Sequence, residues 1–331
     1  MTGREQEKGM ERESRGKNPD SGETGKGMLS PQFLNIKMSR PLVLASGILG
    51  LTASSMKRVI DFGAGAVTTK SFNLQARPGH KNPSIVPFRN GLLNAVGLSN
   101  PGVEEMVREI QRFKQRSRAP IFASVFGRTI EEYGEVIKKT VEAEPDLIEV
   151  NVSCPNVRSE FGTPFGDSLK DTARVTAIAK KAAGRIPVSI KLGPHGPGIG
   201  RLAKVCEENG ADAITAINTV GPGMIIDINV MKPVLSNRTG GVSGPAILPI
   251  AVKSVYEVFQ AVSIPIIGTG GVTDAEDAIQ MILAGAAVVG IGSAVYYQGI
   301  EVFDKVNAGI GQYLKQRGLS SIDQIRGRAH E

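Results

Sequence analysis

Short apolar runs alternate with longer amphipathic stretches along most of the chain. Stretches of helical period lie at Thr129–Ala143, Leu169–Ala183, Ile247–Ala261 and Ala275–Ala284. Eight apolar runs predict strands, at Leu42–Ala45, Ala66–Thr69, Ile121–Val125, Leu147–Val150, Val188–Lys191, Ala213–Ile217, Pro265–Gly268 and Val288–Ile291. This alternation predicts parallel strands with right-handed crossovers. Eight repeats favour an α/β fold, a closed (β/α)8 TIM barrel, with a doubly wound open sheet as the alternative.

Two connections in this pattern are unusually long. Ser71–Pro120 follows the second strand and Asn218–Ser263 follows the sixth. Long connections in compact domains are usually functional, and both leave strand ends where a barrel binds its substrate. We expect one domain over residues 31–331. Residues 1–30 are polar and lack apolar periodicity, so they predict a disordered extension, with Met28 as a candidate for the true start.

The composition narrows the class of protein. Hydrophobic residues make up 41% of 331, enough for a large core. The net charge of +7 is spread along the chain without a basic run, which argues against nucleic acid and favours anionic ligands or an acidic partner protein. Two cysteines are too few for a disulfide framework or an iron–sulfur cluster. With no membrane-length apolar run and no signal-peptide core, we expect a cytoplasmic protein.

Glycine-rich segments follow the last two predicted strands. Gly268-Thr-Gly-Gly271 comes after the seventh strand and Gly290-Ile-Gly-Ser293 after the eighth, and Gly244 lies in a third such segment. Barrels often bind phosphate in these two loops, where glycine lets backbone N–H groups approach the anion. The alternative is that the glycines only form tight turns. The pattern predicts a phosphate site without telling a phosphorylated substrate from a phosphorylated cofactor.

Lysines and amides also occupy strand ends. Lys70 and Lys191 close apolar strands, where each could hold a carboxylate or developing negative charge, or form a Schiff base. Side-chain amides recur in Gly- or Pro-rich strand-end segments, at Asn94, Asn100, Asn151, Asn156 and Asn218. Converging amides suit a planar, hydrogen-bonding ring, although a loop Asn is most often a turn residue. The three histidines are dispersed, so we expect no metal site.

Cys154 lies in Asn151-Val-Ser-Cys-Pro-Asn156, just beyond the fourth predicted strand. Pro155 cannot donate a ladder hydrogen bond, so the strand should end there. A free cysteine taken alone usually behaves as a small buried hydrophobe. Here a titratable thiol shares six residues with two amides and a hydroxyl at the face where barrels do chemistry, so Cys154 is a catalytic candidate.

These segments together carry a family resemblance over Leu34 to His330. The chain resembles class 1 dihydroorotate dehydrogenases and is most similar to their 1B branch, the FMN-bearing subunit of an NAD-linked enzyme. The motifs that carry the resemblance are Asn151-Val-Ser-Cys-Pro-Asn156, Asn94-Ala-Val-Gly-Leu-Ser-Asn-Pro-Gly102, Ile217-Asn-Thr219, Lys232-Pro-Val-Leu-Ser-Asn-Arg-Thr-Gly-Gly-Val-Ser-Gly-Pro-Ala246, Gly268-Thr-Gly-Gly271 and Ser321-Ile-Asp-Gln-Ile-Arg-Gly-Arg-Ala-His330.

The resemblance implies oxidation of dihydroorotate to orotate in pyrimidine biosynthesis, with Cys154 as the base and Lys191 stabilising the reduced flavin. The implied FMN contacts are Ser46, Lys70, Ser71, Asn151, Lys191, Ile217 and Gly244, with Gly270, Gly271, Gly292 and Ser293 at the phosphate. The implied substrate contacts are Lys70, Asn94, Ala95, Val96, Gly97, Leu98, Asn151, Asn218 and Thr219.

The 1B resemblance also implies a separate subunit that carries FAD and a [2Fe-2S] cluster and passes electrons to NAD, in a heterotetramer or around a homodimer core. Two positions depart from the family pattern: Ser124 stands where an Asn is common, and Gly193-Pro-His195 replaces Ser-Pro-Asn. The alternatives are a fumarate-linked 1A enzyme, a Schiff-base aldolase or synthase, a flavin enzyme acting on another pyrimidine, and a flavin-binding scaffold without chemistry.

Overall fold

The computed structural model describes residues 27–153 and 165–331, and its strands form a barrel and two smaller sheets. The strands in chain order are β1 (Leu42–Leu44), β2 (Ala66–Thr68), β3 (Ile85–Phe88), β4 (Gly91–Asn94), β5 (Ile121–Val125), β6 (Leu147–Asn151), β7 (Val188–Leu192), β8 (Ala213–Ala216), β9 (Val220–Gly223), β10 (Ile226–Asp227), β11 (Lys232–Pro233), β12 (Gly240–Ser243), β13 (Ile266–Thr269) and β14 (Val288–Ile291). The barrel closes in the order β1-β14-β13-β8-β7-β6-β5-β2, with every pair parallel. The predicted TIM barrel is confirmed, and its eight strands are the eight predicted runs.

Helices lie between most barrel strands. They are α1 (Ala53–Asp61), α2 (Val103–Arg116), α3 (Ile130–Thr140), α4 (Leu169–Ala183), α5 (Ile199–Glu208), α6 (Leu248–Ala261), α7 (Ala275–Leu283), α8 (Ala294–Gln298) and α9 (Val302–Gln316). Side-chain caps mark several starts, as where Thr129 accepts from the Glu132 N–H and Asp274 from the Asp277 N–H. The four predicted helices are present, and the stretch expected to end at Ala143 finishes in a 3-10 turn, Val141–Ala143.

The barrel interior has an apolar floor and a polar layer above it. Side chains alternate along each strand, so on β6 Ile148 packs towards the helices while Leu147 joins the inner cluster. Phe33, from the segment before β1, closes this floor against Phe122, with ring centroids 6.0 Å apart. The layer above is buried and polar, and it includes Ser124, Glu149, Ser189 and Thr215.

The two long connections jointly build a four-stranded antiparallel sheet that the sequence pattern did not reveal. Its order is β3-β4-β12-β9, so β3 and β4 come from the first connection and β9 and β12 from the second. Leu93 of β4 faces Val242 of β12 in the register, and a small core of Leu93, Ala95 and Leu235 supports the sheet. The connections therefore fold onto one another instead of forming separate loops.

The packed chain begins before residue 31, the expected start of the barrel domain. Leu29 is 8% exposed and belongs to the main core, while residues 1–26 lie outside the described part. Within that part, no helix is long and apolar enough to cross a membrane. Nor do three or more His, Cys, Asp or Glu side chains group there as a metal site would require.

Candidate active site

A cavity of about 530 Å³ opens at the carboxyl ends of the barrel strands. The four-stranded sheet forms one wall, with Ile85, Leu92 and Asn94 on one pair of strands and Gly241 and Ser243 on β12. The volume lies in the range of small-molecule and cofactor sites. The site residues predicted from the sequence that line it are Ser46, Lys70, Ser71, Asn94, Val96, Gly97, Leu98, Asn100, Asn151, Lys191, Ile217, Asn218, Thr219, Gly244, Gly270, Gly271, Gly292 and Ser293.

Three candidate residues are not placed at the cavity. Ala95 is buried behind the wall, where it packs with Leu93 and Leu235 and its N–H donates to the Ser84 carbonyl. Its side chain therefore does not line the cavity. Cys154 falls within residues 154–164, outside the described part, as does Asn156.

The charges at the cavity are positive. Its described lining includes Lys70 and Lys191 and no carboxylate. Lys191 follows Ile190 on β7 and is only 5% exposed, and its Nζ donates a 2.8 Å hydrogen bond to Ser46 Oγ. An ion pair of 3.6 Å joins the same Nζ to Glu149 Oε1. The electrostatics favour a ligand that carries or develops negative charge.

Glu149 continues into a buried chain of hydroxyls. Ser124 Oγ donates to Glu149 Oε1 over 2.9 Å and lies 2.8 Å from Ser71 Oγ. The pairing of β5 with β6 brings this about, because Ser124 and Glu149 are register partners. The network therefore links one cavity residue, Ser71, to another, Lys191, through the barrel interior.

Side-chain amides converge at the ends of β6 and β8. Asn151 Oδ1 accepts from the Ser153 N–H at 3.3 Å and from Asn218 Nδ2 at 3.4 Å. Asn218 Nδ2 also donates to Ser153 Oγ at 3.0 Å, and its own oxygen accepts from the Thr219 N–H. Asn100 differs, because it is buried and bonds the backbone of Leu98 and Gly102, as a turn residue does.

The predicted phosphate loops lie side by side at the ends of β13 and β14. Gly270 and Gly271 have φ values of +130° and +81°, which L-residues rarely adopt. A Cβ on Gly271 would come within 2.6 Å of the Leu248 nitrogen. Gly292 and Ser293 directly precede α8 and also line the cavity. Backbone N–H groups at such loops suit a phosphate, so the residues present fit a phosphorylated cofactor.

Comparison with known proteins shows which family this chain belongs to. The family model described as "Dihydroorotate dehydrogenase" matches residues 28–314. The chain belongs to the dihydroorotate dehydrogenase family. This membership decides against the aldolase or synthase alternative.

Curated relatives in this family cover almost the whole chain. A protein of Methanothermobacter thermautotrophicus is 44% identical over 92% of this chain and 99% of its own length. A protein of Methanocaldococcus jannaschii is 44% identical over 93% of this chain and 100% of its own length. A protein of Pyrococcus horikoshii is 41% identical over 92% of this chain and 98% of its own length. All three are named "Dihydroorotate dehydrogenase B (NAD(+)), catalytic subunit". The resemblance to the 1B branch of dihydroorotate dehydrogenases is confirmed.

The two departures from the dihydroorotate dehydrogenase pattern have different positions. Ser124 does not line the cavity, but it bonds Ser71, which does. His195 Nε2 accepts a 3.3 Å hydrogen bond from the Gly221 N–H, so it ties the loop after β7 to β9 of the four-stranded sheet. The first change therefore bears on the inner network and the second on the loops beside the amides.

Glu149 is the residue that sequence reasoning missed. A signal was present, because a carboxylate within the apolar run Leu147–Val150 must be paired if it is buried. Cys206, on α5, is the cysteine within the described residues, and it does not line the cavity. Burial raises the pKa of its thiol to about 12, with a smaller opposing contribution from a hydrogen bond with Thr176. Cys206 is thus a poor candidate for the base.

Proposed function

We propose that this chain is the FMN-bearing catalytic subunit of an NAD-linked dihydroorotate dehydrogenase. It oxidises (S)-dihydroorotate to orotate in the de novo synthesis of UMP, in the cytoplasm. The observation that carries the proposal is the convergence of lysines, amides and glycine loops from the ends of different strands on one cavity. A ring that carries both a carboxylate and amide groups matches those side chains.

FMN fits the donors at the cavity. The residues that would hold its phosphate are Gly270, Gly271, Gly292 and Ser293, and those that would contact the remainder are Ser46, Lys70, Ser71, Asn151, Lys191, Ile217 and Gly244. When bound, FMN supplies the two-electron acceptor that this oxidation requires. Lys191 contributes a positive charge where negative charge develops, a stabilising role that works best in a buried site.

The substrate would be held by the amide cluster and the first long connection. Asn151, Asn218 and Thr219 offer donors and acceptors at the barrel mouth, and Lys70 offers a cation for the carboxylate. Asn94, Val96, Gly97 and Leu98 line the facing wall. Ala95 would support this wall from behind, which replaces the direct contact expected from the sequence.

Oxidation creates a double bond between C5 and C6, so a hydride leaves C6 and a proton leaves C5. Cys154 is the proposed base for that proton, since it directly follows Ser153, whose hydroxyl is held by Asn218. An unperturbed thiol has a pKa of about 8–9 and is a base only as the thiolate. Turnover should therefore rise towards alkaline pH.

The electrons would leave through a separate subunit that carries FAD and a [2Fe-2S] cluster and reduces NAD. We propose an assembly of this kind, a heterotetramer or a homodimer core with partners, because the relatives are named as NAD-linked catalytic subunits. The net charge of +7 suits an acidic partner. The fumarate-linked alternative needs no such subunit.

An anaerobic visible spectrum tests the core of the proposal. The purified chain, incubated with FMN and freed of excess, should show flavin absorbance that bleaches when dihydroorotate is added. Cys154→Ala should bind FMN equally but bleach at least 1000-fold more slowly, by analogy with loss of a general base. No flavin binding by the wild-type chain would overturn the proposal. Bound flavin that dihydroorotate does not bleach would exclude this substrate and favour another pyrimidine or a scaffold.

A second measurement identifies the acceptor. The bleached protein is mixed anaerobically with NAD or with fumarate, and the return of flavin absorbance is followed. The proposal expects no rapid reoxidation by either compound alone, and reoxidation by NAD once the FAD-bearing subunit is added. Rapid reoxidation by fumarate would overturn the 1B assignment of the reaction.

A further inference from the structure

A carboxylate that does not line the cavity lies directly behind it. Glu149 is 3% exposed, within the polar layer of the barrel. Its Oε1 is 3.6 Å from Lys191 Nζ and 2.9 Å from Ser124 Oγ. Both Lys191 and Ser71, the next hydroxyl beyond Ser124, line the cavity. Glu149 therefore acts on two ligand-facing groups at once.

The hydrogen-bond directions in this network follow from the carboxylate. An ionised carboxylate can only accept, and a serine hydroxyl has a single proton to donate. Because Ser124 gives its proton to Glu149, Ser71 must donate to Ser124 across their 2.8 Å contact. The Ser71 oxygen is left with lone pairs and no proton for a ligand. Glu149 thereby makes Ser71 an acceptor at the cavity.

The charge balance points the same way. Lys191 and Glu149 form a nearly buried ion pair, with side chains 6% and 4% exposed. The ammonium faces the cavity and the carboxylate lies behind it, so the carboxylate reduces the positive potential that a ligand experiences. The effect of one charge on the potential around another is strong in a poorly solvated interior. The described cavity lining holds no carboxylate with the same effect.

We propose that Glu149 is a positioning residue that tempers the charge of Lys191 and, through Ser124, fixes Ser71 as a hydrogen-bond acceptor. The inference rests on the proposed binding of FMN. Its consequence is that Glu149 sets the preference of the site for reduced over oxidised flavin. A substitution of Glu149 should therefore shift this preference without any change in the residues that would face dihydroorotate.

Glu149→Gln tests the charge, because the amide keeps the size of the side chain and an oxygen that accepts from Ser124. The midpoint potential of bound FMN is measured by anaerobic dye equilibration, which requires no turnover. We expect the variant to favour reduced flavin at least tenfold more than wild type, which is about 30 mV for a two-electron couple. A change of less than twofold, or a shift towards oxidised flavin, would overturn the proposal.

Ser124→Ala tests the hydrogen bonds that link Glu149 to Ser71 separately from the charge of Glu149. It cuts the link between Glu149 and Ser71 while the ion pair remains. We expect its dissociation constant for FMN to rise at least fivefold, measured by quenching of flavin fluorescence, with the reduced-to-oxidised preference within twofold of wild type. An unchanged dissociation constant would remove the role assigned to Ser71.

Glu132→Gln is the matched control. Glu132 is also a buried carboxylate, but it pairs with Arg128 and does not line the cavity. We expect it to leave the potential of bound FMN unchanged. An equal shift in Glu132→Gln would assign the effect to general loss of a buried carboxylate and overturn the proposal.

A further pair of variants covers the case in which Glu149→Gln does not fold. Lys191→Gln and the double variant Glu149→Gln/Lys191→Gln differ only in the carboxylate, and the double variant leaves neither charge unpaired. The double variant should favour reduced flavin at least tenfold more than Lys191→Gln, and equal potentials would contradict the inference. Failure of the wild-type chain to bind FMN would instead remove the proposed function.

Discussion

The Tyr133 hydroxyl donates a 2.9 Å hydrogen bond to the main-chain carbonyl of Asn151. Tyr133 lies on α3 and is 1% exposed, and its ring meets Phe165 edge-on at 5.7 Å. The bond fixes the point at which β6 ends and the amide cluster begins. A helix on the outer layer of the barrel thus positions residues at the candidate active site.

Tyr133→Phe removes this donor and leaves a buried carbonyl without it. We expect a loss of about 1–2 kcal/mol in the free energy of unfolding, because an unsatisfied buried acceptor costs that much. Turnover should fall several-fold as the end of β6 loosens. Denaturant unfolding and steady-state assays measure the two effects. Tyr313→Phe is the control, because Tyr313 is half-buried on α9. It should change neither the free energy of unfolding nor the turnover. Equal stability of the two variants would contradict the role given to this bond.

The two cysteines should behave in opposite ways. Cys154→Ala should slow dihydroorotate oxidation at least 1000-fold, whereas Cys206→Ala should keep most of it, because Cys206 does not line the cavity. Iodoacetamide should inactivate the enzyme in step with labelling of Cys154, faster at higher pH because the thiolate is the reactive form. Peptide mapping by mass spectrometry identifies the labelled residue. Inactivation that follows labelling of Cys206 would refute the assignment.

Cys206 should also shape the alkaline stability of the protein. Burial raises the pKa of its thiol from 9.0 to about 12, so the unfolded state ionises first as pH rises. The stability that the buried thiol contributes is complete below pH 9 and is lost progressively between pH 9 and 12. At pH 10 wild type should have lost about 1.4 kcal/mol relative to Cys206→Ala, one pKa unit of linkage. Unfolding titrations at pH 7, 9 and 10 measure this, and parallel pH profiles would argue against it.

Gly271 and Gly311 form a matched pair for the phosphate loop. Gly271→Ala requires a strained φ of +81° and places a Cβ 2.6 Å from the Leu248 nitrogen. We expect it to weaken FMN binding at least tenfold and to destabilise the fold by about 1–3 kcal/mol. Gly311 lies in α9 with no atom within 4 Å of the added Cβ, so Gly311→Ala should stabilise by about 0.5–1 kcal/mol. Fluorescence titration and thermal unfolding compare the two, and normal FMN affinity in Gly271→Ala would exclude this loop from the phosphate site.

The barrel was predictable because each of its strands is buried on both faces and reads as a continuous apolar run. The runs Ile121–Val125 and Val288–Ile291 match β5 and β14 residue for residue. Strand-end residues such as Lys191 and Asn218 were predictable for the same reason, since a parallel barrel brings all carboxyl ends to one face. The position of each residue in the alternation of strands and helices was therefore enough to predict most of the cavity lining.

The rest depended on contacts between residues distant in sequence. The pairing of β4 with β12 joins Asn94 to Gly241 across two separate connections, and short Gly-rich strands carry little periodic signal. The burial of Ala95 follows from that sheet, so it could not be read from the motif alone. A carboxylate such as Glu149 is unusual in an apolar run, so its presence could be noticed in the sequence. Its partners Lys191 and Ser124 could not be predicted, because the register of the neighbouring strands determines them.

Phe33 and Phe122 close the floor of the barrel, so the cavity lined by the described residues opens at the carboxyl ends of the strands. The described cavity opens on the side of the four-stranded sheet, so the proposed substrate and its product would enter and leave by that same side. Under the proposed function, orotate would therefore leave before the next dihydroorotate binds, and the two compounds would compete for the site. The electrons of the proposed reaction would leave by a different route, towards the proposed FAD-bearing subunit.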